Sequence, residues 1–210
     1  MKDNNSITIV LPIYNDALLL KSKLPLIRKK CKRIMKDNSC IEIIVVDNGS
    51  DDILKSKIDN SIRYIRLKEP NYGEAIKVGL NAASNKFAYV LDIDQFDLPF
   101  FEWSYANKNR YSIIFSSKRL DPSLNKQSVL RYFLSWGLNS LLQLLFALPA
   151  SDTHGQKLIN TYLCKSLLKS IKADRGQYDV ELVVMGLANG YKMAQVPVPY
   201  DEIRRPRNSI

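Results

Sequence analysis

Short apolar runs rich in β-branched residues alternate with helical segments along the first half of the chain, and this alternation constrains the fold most strongly. The runs at 7–13, 42–46, 61–66 and 87–91 predict strands, and the segments 16–36 and 73–83 between them predict helices. Strands joined in this way need right-handed crossovers and form a mainly parallel sheet with helices on its faces. The pattern therefore predicts an α/β fold.

The second half of the chain is less regular. Residues 111–117 predict another strand, 127–148 a strongly apolar helix, 160–170 and 179–189 two further helices, and 192–198 a last strand before a basic tail at 204–209. A chain of 210 residues can bury one substantial core. We therefore expect a single domain over 1–210.

Composition restricts the cellular compartment and the classes of binding partner that we expect. The net charge of +10 is compatible with nucleic acid, an anionic membrane or a phosphate-bearing substrate. Because the basic residues are spread along the chain and no nucleic-acid-binding motif is present, we expect no nucleic-acid partner. Three cysteines without paired spacing argue against a disulfide framework or a zinc site, and the polar start of the chain favours the cytoplasm.

Polar residues follow three of the predicted strands at the same point, where each strand ends. They are Tyr14-Asn15-Asp16, the stretch from Asp47 to Asp51, and Asp92-Ile93-Asp94. Since ligands of open α/β sheets bind beyond the carboxyl ends of the strands, these residues predict one shared site.

Asp92 and Asp94 flank a single residue, so in extended backbone both carboxylates point to the same side. Such a pair suits Mg²⁺ or Mn²⁺, which prefer hard oxygen ligands and keep positions open for phosphate oxygens. An isolated pair of this kind is more often a solvated turn, but its position after a buried strand favours a metal site.

The loop from Asp47 to Asp51 has two interpretations. Asn48-Gly49 is a strong turn signal by itself. In a nucleotide site, Asp47 would accept hydrogen bonds from a base or ribose, and Tyr14 could stack on the base.

Taken together, these motifs resemble glycosyltransferase family 2. The resemblance rests on 10–16, 42–51, Asn71-Tyr72-Gly73 with Ala75 and Gly79, and 92–94, in this order. It implies the nucleotide-sugar-binding fold called GT-A, and an inverting transferase that uses a UDP- or GDP-sugar. The nucleotide-sugar-binding half would be 1–97 and the acceptor-binding half, with its basic tail, 98–210.

The second half resembles the polyprenyl-phosphate branch of that family, which includes dolichyl-phosphate mannose and glucose synthases. The matching residues lie at 116–119, Arg131 with Ser135, 151–157, 178–181 and 204–209. The resemblance implies that the nucleotide sugar is held by Pro12, Tyr14, Asp16, Asp47, Asn71, Gly73 and Asp92. It further implies a metal on Asp92 and Asp94, and an acceptor phosphate on Arg119, Arg131, Ser135, Arg205 and Arg207.

Three features depart from the family pattern. Glu74 stands where a lysine is frequent. We also expect none of the transmembrane helices that many relatives append. Phe96 occupies the position at which lipid-phosphate enzymes often place a metal-binding glutamine, although Gln95 is adjacent. The third metal ligand is therefore left open.

The apolar segment 129–148 has about the length of a membrane span, roughly 20 residues. However, Arg131, Ser135, Asn139 and Gln143 recur at every fourth position and line one helical face. We expect an amphipathic helix on the cytoplasmic face of a membrane, with a buried core helix as the alternative.

A phosphomonoester acceptor is largely ionised at neutral pH and needs cations rather than a general base. Asp94, Arg119, Arg131 and Asp152 are the candidate catalytic residues. A hydroxyl acceptor would instead need a base, for which Asp152 or the pair Asp179 and Glu181 are the candidates. A nucleotide-sugar-binding protein without catalysis is the further alternative, and the role of His154 is left open.

Overall fold

The computed structural model describes residues 5–35, 40–51, 61–124, 137 and 153–199. The strands are β1 (Ile7–Ile13), β2 (Ile41–Asp47), β3 (Ile62–Arg66), β4 (Phe87–Val90), β5 (Ile113–Ser117), β6 (Lys157–Asn160) and β7 (Met193–Pro197). The helices are α1 (Ala17–Met35), α2 (Tyr72–Ala82), α3 (Leu98–Asn107), α4 (Lys165–Ser170) and α5 (Gln177–Ala188), with a short 3₁₀ turn at Pro122–Leu124.

The described strands form one sheet in the order β3-β2-β1-β4-β6-β5-β7. Neighbouring strands are parallel except at β6, which runs antiparallel to β4 and β5. The sheet is therefore mainly parallel, and the carboxyl ends of β1, β2, β4 and β5 lie along one edge, called here the carboxyl edge. The predicted α/β fold is confirmed.

Helices cover both faces of the sheet, so its central strands are buried on each side, whereas the outer strands β3 and β7 are half-buried. On one face, α1 contributes Leu20, Leu24 and Ile27 to a core shared with Phe100 and Phe101 of α3. On the other face, α2, α4 and α5 bury their apolar residues, among them Ile76, Leu167 and Leu182. Such two-sided burial explains why β1, β2 and β4 are nearly continuous apolar runs instead of alternating ones.

Gly79 allows α2 to approach the sheet closely. A Cβ atom at this position would lie 2.3 Å from Cγ1 of Val10 and 3.2 Å from Cγ2 of Val46. Because both neighbours are stiff, β-branched strand residues, a larger side chain would push the helix away from the sheet. The glycine thus fixes the position of the helix that starts beside Asn71.

Sequence reasoning missed two elements of the second half, α3 and β6. The helix predicted over 160–170 is present as α4, but it starts at Lys165, after a turn that follows β6. The amphipathic helix predicted at 129–148 falls outside the described residues apart from Gly137, so it stays a prediction. Among the described helices, none has the length and apolar character needed to cross a membrane.

Candidate active site

A cleft of about 210 Å³ opens at the carboxyl edge, beyond the ends of β1, β2 and β4. It brings together the three polar segments that the sequence singled out. Pro12, Tyr14, Asp16, Asp92 and Asp94 all line it, and so do Ile13, Asn48, Tyr72, Ile93 and Gln95.

The two metal-ligand candidates lie in a tight turn. The backbone N–H of Gln95 donates to the carbonyl of Asp92 at 3.0 Å, which places Ile93 and Asp94 at the centre of a β-turn. The expectation of extended backbone at this point was therefore wrong, since β4 ends at Val90. Both carboxylates nevertheless line the same cleft.

The structure distinguishes the two positions, 95 and 96, at which a third metal ligand was considered. Phe96 packs against the apolar core, with its ring centroid 6.3 Å from that of Tyr89 and 6.2 Å from that of Phe101. Gln95 is exposed and lines the cleft beside Asp92 and Asp94. Of these two positions, Gln95 is the one whose side chain lies in the cleft with the two carboxylates.

Tyr72, the first residue of α2, is a cleft residue that sequence reasoning did not select. Its hydroxyl lies 3.5 Å from Oδ1 of Asp92. Burial, followed by the nearby charges of Asp92, Asp179 and Asp94, raises the pKa of the Tyr72 phenol well above its ordinary value. The phenol therefore stays protonated and able to donate, and its place beside Asn71 and Gly73 was the available sequence signal.

Asp47 ends β2 but does not line the cleft. Its side chain is buried and accepts hydrogen bonds from the Tyr64 hydroxyl, from Nη1 of Arg66 at 3.0 Å and from the backbone N–H of Ser50 at 2.8 Å. Burial alone would raise the pKa of this carboxyl, but the hydrogen bonds from Ser50 and Tyr64 and the charge of Arg66 outweigh it and lower the pKa. In this conformation Asp47 shapes the loop, and direct contact with a nucleotide stays a prediction.

Asn15 connects the loops after β1 and β2. It adopts a left-handed conformation with φ of 54°, and its side-chain oxygen accepts the N–H of Asp51 at 2.8 Å. The hydroxyl of Ser50 accepts the N–H of Asn15 at 2.9 Å. These two bonds hold Tyr14 and Asp16 against the Asp47 loop.

Asn71 and Gly73 have structural roles in the described fold. The side-chain oxygen of Asn71 caps α2 by accepting the N–H of Glu74 at 3.0 Å, and it also accepts the N–H of Arg175 at 3.1 Å. A Cβ at Gly73 would lie 2.9 Å from the backbone nitrogen of Arg175 and from Cβ of Tyr178. Both residues thus dock the loop before α5, and their contact with a nucleotide sugar stays a prediction.

Among the residues predicted to bind the acceptor phosphate, Arg119 is the one that lies in the described part of the chain. It follows β5 and is half-buried, with its backbone N–H donating to Oγ of Ser117 at 3.2 Å. Val90 and Phe115 both pair with Lys157 across β6, so the end of β4 is level with Phe115, about 10 Å away across two strand spacings. Strand β5 continues two residues further, to Ser117. Arg131, Ser135, Asp152, Arg205 and Arg207 lie outside the described residues.

The two candidates for a general base in the described part of the chain, Asp179 and Glu181, are engaged in an ion pair and in hydrogen bonds, respectively. Asp179 forms a buried ion pair with Lys157, in which Nζ and Oδ1 are 3.1 Å apart and both side chains are 1% exposed. Glu181 accepts the N–H of Lys172 at 3.1 Å and also that of Ala173. His154 bridges two loops, since its Nε2 lies 3.1 Å from the carbonyl oxygen of Gly176.

Sequence comparison assigns the chain that forms this cleft to a protein family. The profile of Glycosyl transferase family 2 matches residues 8–118, which is more than half of the chain and includes all the cleft residues. A dolichyl-phosphate beta-glucosyltransferase of Dictyostelium discoideum is 26% identical over 96% of this chain and 68% of its own length. One from Trichomonas vaginalis is 28% identical over 94% of this chain and 66% of its own length. The chain thus spans about two thirds of these relatives, and the predicted resemblance to the polyprenyl-phosphate branch is confirmed.

Solved structures agree on the fold. Glucosyl-3-phosphoglycerate synthase from Mycobacterium tuberculosis, crystallised with Mn²⁺, UDP and phosphoglyceric acid, superposes with a TM-score of 0.68 at 17% identity. The match covers 97% of this chain and 72% of that one. At this identity the likeness establishes the GT-A arrangement alone. With the sequence profile, it shows that the chain belongs to glycosyl transferase family 2.

Proposed function

We propose that this glycosyltransferase moves a hexose from a UDP- or GDP-sugar to a polyprenyl phosphate, with inversion at the anomeric carbon. The observation that carries the proposal is the cleft in which Asp92 and Asp94 face Tyr14, Asp16 and Tyr72. Acidic groups and an aromatic side chain in one concave site suit a metal-bound nucleotide diphosphate. Relatives that match nearly the whole chain are dolichyl-phosphate glucosyltransferases, so glucose is the first sugar to test.

The donor set in the cleft fits Mg²⁺ or Mn²⁺. Asp92, Asp94 and Gln95 would bind a metal through oxygen atoms. The described part of the chain contains no cluster of three or more acidic, histidine or cysteine residues that could hold a metal by themselves. A set of two carboxylates and one amide leaves positions open for phosphate oxygens. When bound, the ion would neutralise charge on the departing nucleoside diphosphate.

The protein's own residues would place two anions, the donor diphosphate and the acceptor phosphate, close together and offset the repulsion between them. In the proposed displacement, a phosphate oxygen of the acceptor bonds to the anomeric carbon as the bond from that carbon to the diphosphate oxygen breaks. Arg119 lies at the same edge as the acidic turn and would hold the acceptor phosphate. We propose that Arg131, Ser135, Arg205 and Arg207 complete this acceptor site.

Transfer to a hydroxyl group requires a free general base, and of the base candidates in the described part of the chain neither is free. Asp179 is held by Lys157 in a buried ion pair, and Glu181 is engaged with the backbone of residues 172 and 173. An ionised phosphate needs neither carboxylate. Such an acceptor is anchored in a bilayer by its lipid, so we also propose association with the cytoplasmic face of a membrane.

The direct test is transfer of labelled glucose from UDP-glucose to a polyprenyl phosphate, with and without Mn²⁺. We expect product that disappears with a chelator. The variant Asp94→Asn should lose about 100-fold or more in kcat/KM, on the scale of removing one group that stabilises transition-state charge. The control Glu102→Gln changes an exposed carboxylate on α3 and should keep full activity. Undiminished transfer by Asp94→Asn without metal would refute the proposal.

A further inference from the structure

Helix α1 has an outer face that the proposed site does not use. Its buried residues, Leu20, Leu24, Ile27, Cys31 and Met35, lie on the side that packs against the sheet. At 3.6 residues per turn, the opposite side presents Leu18, Lys21, Leu26, Lys29 and Lys32 to solvent. We call these five residues the outer face of α1.

The helix carries positive charge alone. Its seven basic residues are Lys21, Lys23, Arg28, Lys29, Lys30, Lys32 and Arg33, and it has no acidic residue. Among the described residues, no ion pair joins one of its lysines to a carboxylate. Cations this close along one helix repel each other, so a negatively charged counter-surface would relieve the repulsion.

Two large apolar side chains lie among these cations. Leu18 is 83% exposed and Leu26 is 56% exposed, two turns further along the same helix. Exposed leucines would gain nothing from the phosphate backbone of a nucleic acid. Leucines surrounded by lysines are instead the composition of a helix that lies in the interface of an anionic bilayer.

The outer face starts at the mouth of the cleft. Asp16 lines the cleft, and α1 begins at the next residue, so Leu18 lies in the first turn beside Tyr14 and Asp16. A bilayer that touched this face would bring its surface to the carboxyl edge of the sheet. This placement rests on the proposed function, because only a lipid-bound acceptor requires the cleft to lie near a membrane.

We propose that the outer face of α1 docks on an anionic lipid bilayer, with Leu18 and Leu26 in the interfacial region and the lysines against the headgroups. Binding then has two separable parts. The lysines provide attraction that salt weakens, and the leucines provide apolar burial that persists at high salt.

The test is co-sedimentation with vesicles of phosphatidylcholine, with or without phosphatidylserine. The triple variant Lys21→Glu, Lys29→Glu, Lys32→Glu should lose at least about tenfold in partitioning onto the anionic vesicles, since each nearby cation adds several-fold. The matched control Lys165→Glu, Lys169→Glu, Lys172→Glu makes the same change in net charge at exposed positions on and after α4, and should lose less than about threefold. The double variant Leu18→Ser, Leu26→Ser should lose the binding that remains at high salt.

Equal losses in the two triple variants would mean that only overall charge matters and would overturn the proposal. Binding to a single-stranded polynucleotide that depends on the α1 lysines, without binding to vesicles, would assign the face to nucleic acid and also overturn it.

An activity assay separates this proposal from the proposed function. With a short, water-soluble polyprenyl phosphate, the α1 triple variant should transfer glucose like the unmodified protein, whereas with acceptor embedded in anionic vesicles it should be slower. If the unmodified protein fails on both acceptors, the proposed function fails while the vesicle-binding result still decides the docking proposal.

Discussion

Aspartates of this protein behave differently according to what surrounds each carboxylate. Asp92 and Asp94 are half-buried in a turn and line the cleft, where a cation can reach them. Asp47 ends the neighbouring strand but accepts hydrogen bonds from Tyr64, Arg66 and Ser50. A carboxylate that accepts three hydrogen bonds stabilises its own loop. That loop places Asn48 at the wall of the cleft.

The network around Asp47 makes stability depend on pH. Because its carboxyl has a lowered pKa in the folded protein, its contribution is present above the unfolded value, about 3.9, and is lost as the pH falls through the folded value. We expect Asp47→Asn to lower the free energy of unfolding at neutral pH by about 1 to 3 kcal/mol. Thermal unfolding across a pH series should show this difference shrinking below about pH 4.

The comparison for this measurement is Asp51→Asn, which changes an exposed carboxyl in the same loop. That variant should unfold like the unmodified protein at every pH. A stability loss in Asp47→Asn that stayed constant down to strongly acidic pH would show that the charge of Asp47 is not what stabilises the loop.

The conformation of strand β6 could not be predicted from its own sequence. Lys157-Leu158-Ile159-Asn160 has a charged and a polar end and only two apolar residues, so no strand pattern is visible. Its conformation comes from pairing with β4 and β5, which lie far away in the sequence. The more apolar runs of β1, β2 and β4, by contrast, were predicted to within about one residue from their own apolar character.

The buried ion pair between Lys157 and Asp179 ties β6 to α5. Removing one partner leaves an uncompensated charge in the core, so Asp179→Asn and Lys157→Met should each cost about 3 to 5 kcal/mol of unfolding free energy. The double variant Lys157→Met, Asp179→Leu should recover most of that loss, because it removes both charges. Chemical denaturation of the three variants measures the coupling.

The same double variant tests the role of Asp179 in chemistry. If the acceptor is an ionised phosphate, the refolded double variant should still transfer sugar, since no base is needed. The control Tyr178→Phe removes a neighbouring buried hydroxyl that lacks a hydrogen-bond partner among the described residues. A stable double variant without activity would indicate that Asp179 acts as a base on a hydroxyl acceptor.

At the scale of the whole molecule, one sheet joins the two predicted halves of the chain. β4, from the nucleotide-sugar-binding half, pairs with β6 from the acceptor-binding half. We therefore propose that 1–210 folds as one glycosyltransferase domain, with the donor cleft at β1, β2 and β4 and the acceptor residues beyond β5.

Sequence reasoning located this site because residues that follow parallel strands must meet at one edge. It could not show that Asp47 turns inward, since its partners Tyr64 and Arg66 come from β3. Nor could it show that Tyr72 faces Asp92, which depends on the docking of α2 through Gly79. In both cases the missing information is tertiary packing, which strand-end patterns do not contain.

The most direct test of the account is whether a divalent cation and a nucleoside diphosphate bind cooperatively through Asp92 and Asp94. Calorimetry of UDP binding, with GDP in parallel, should show affinity for one of them rising at least about tenfold when Mn²⁺ is added. In the double variant Asp92→Asn, Asp94→Asn, Mn²⁺ should leave that affinity unchanged. An equal Mn²⁺-dependent increase in the variant, or none in the unmodified protein with either nucleotide, would contradict the account.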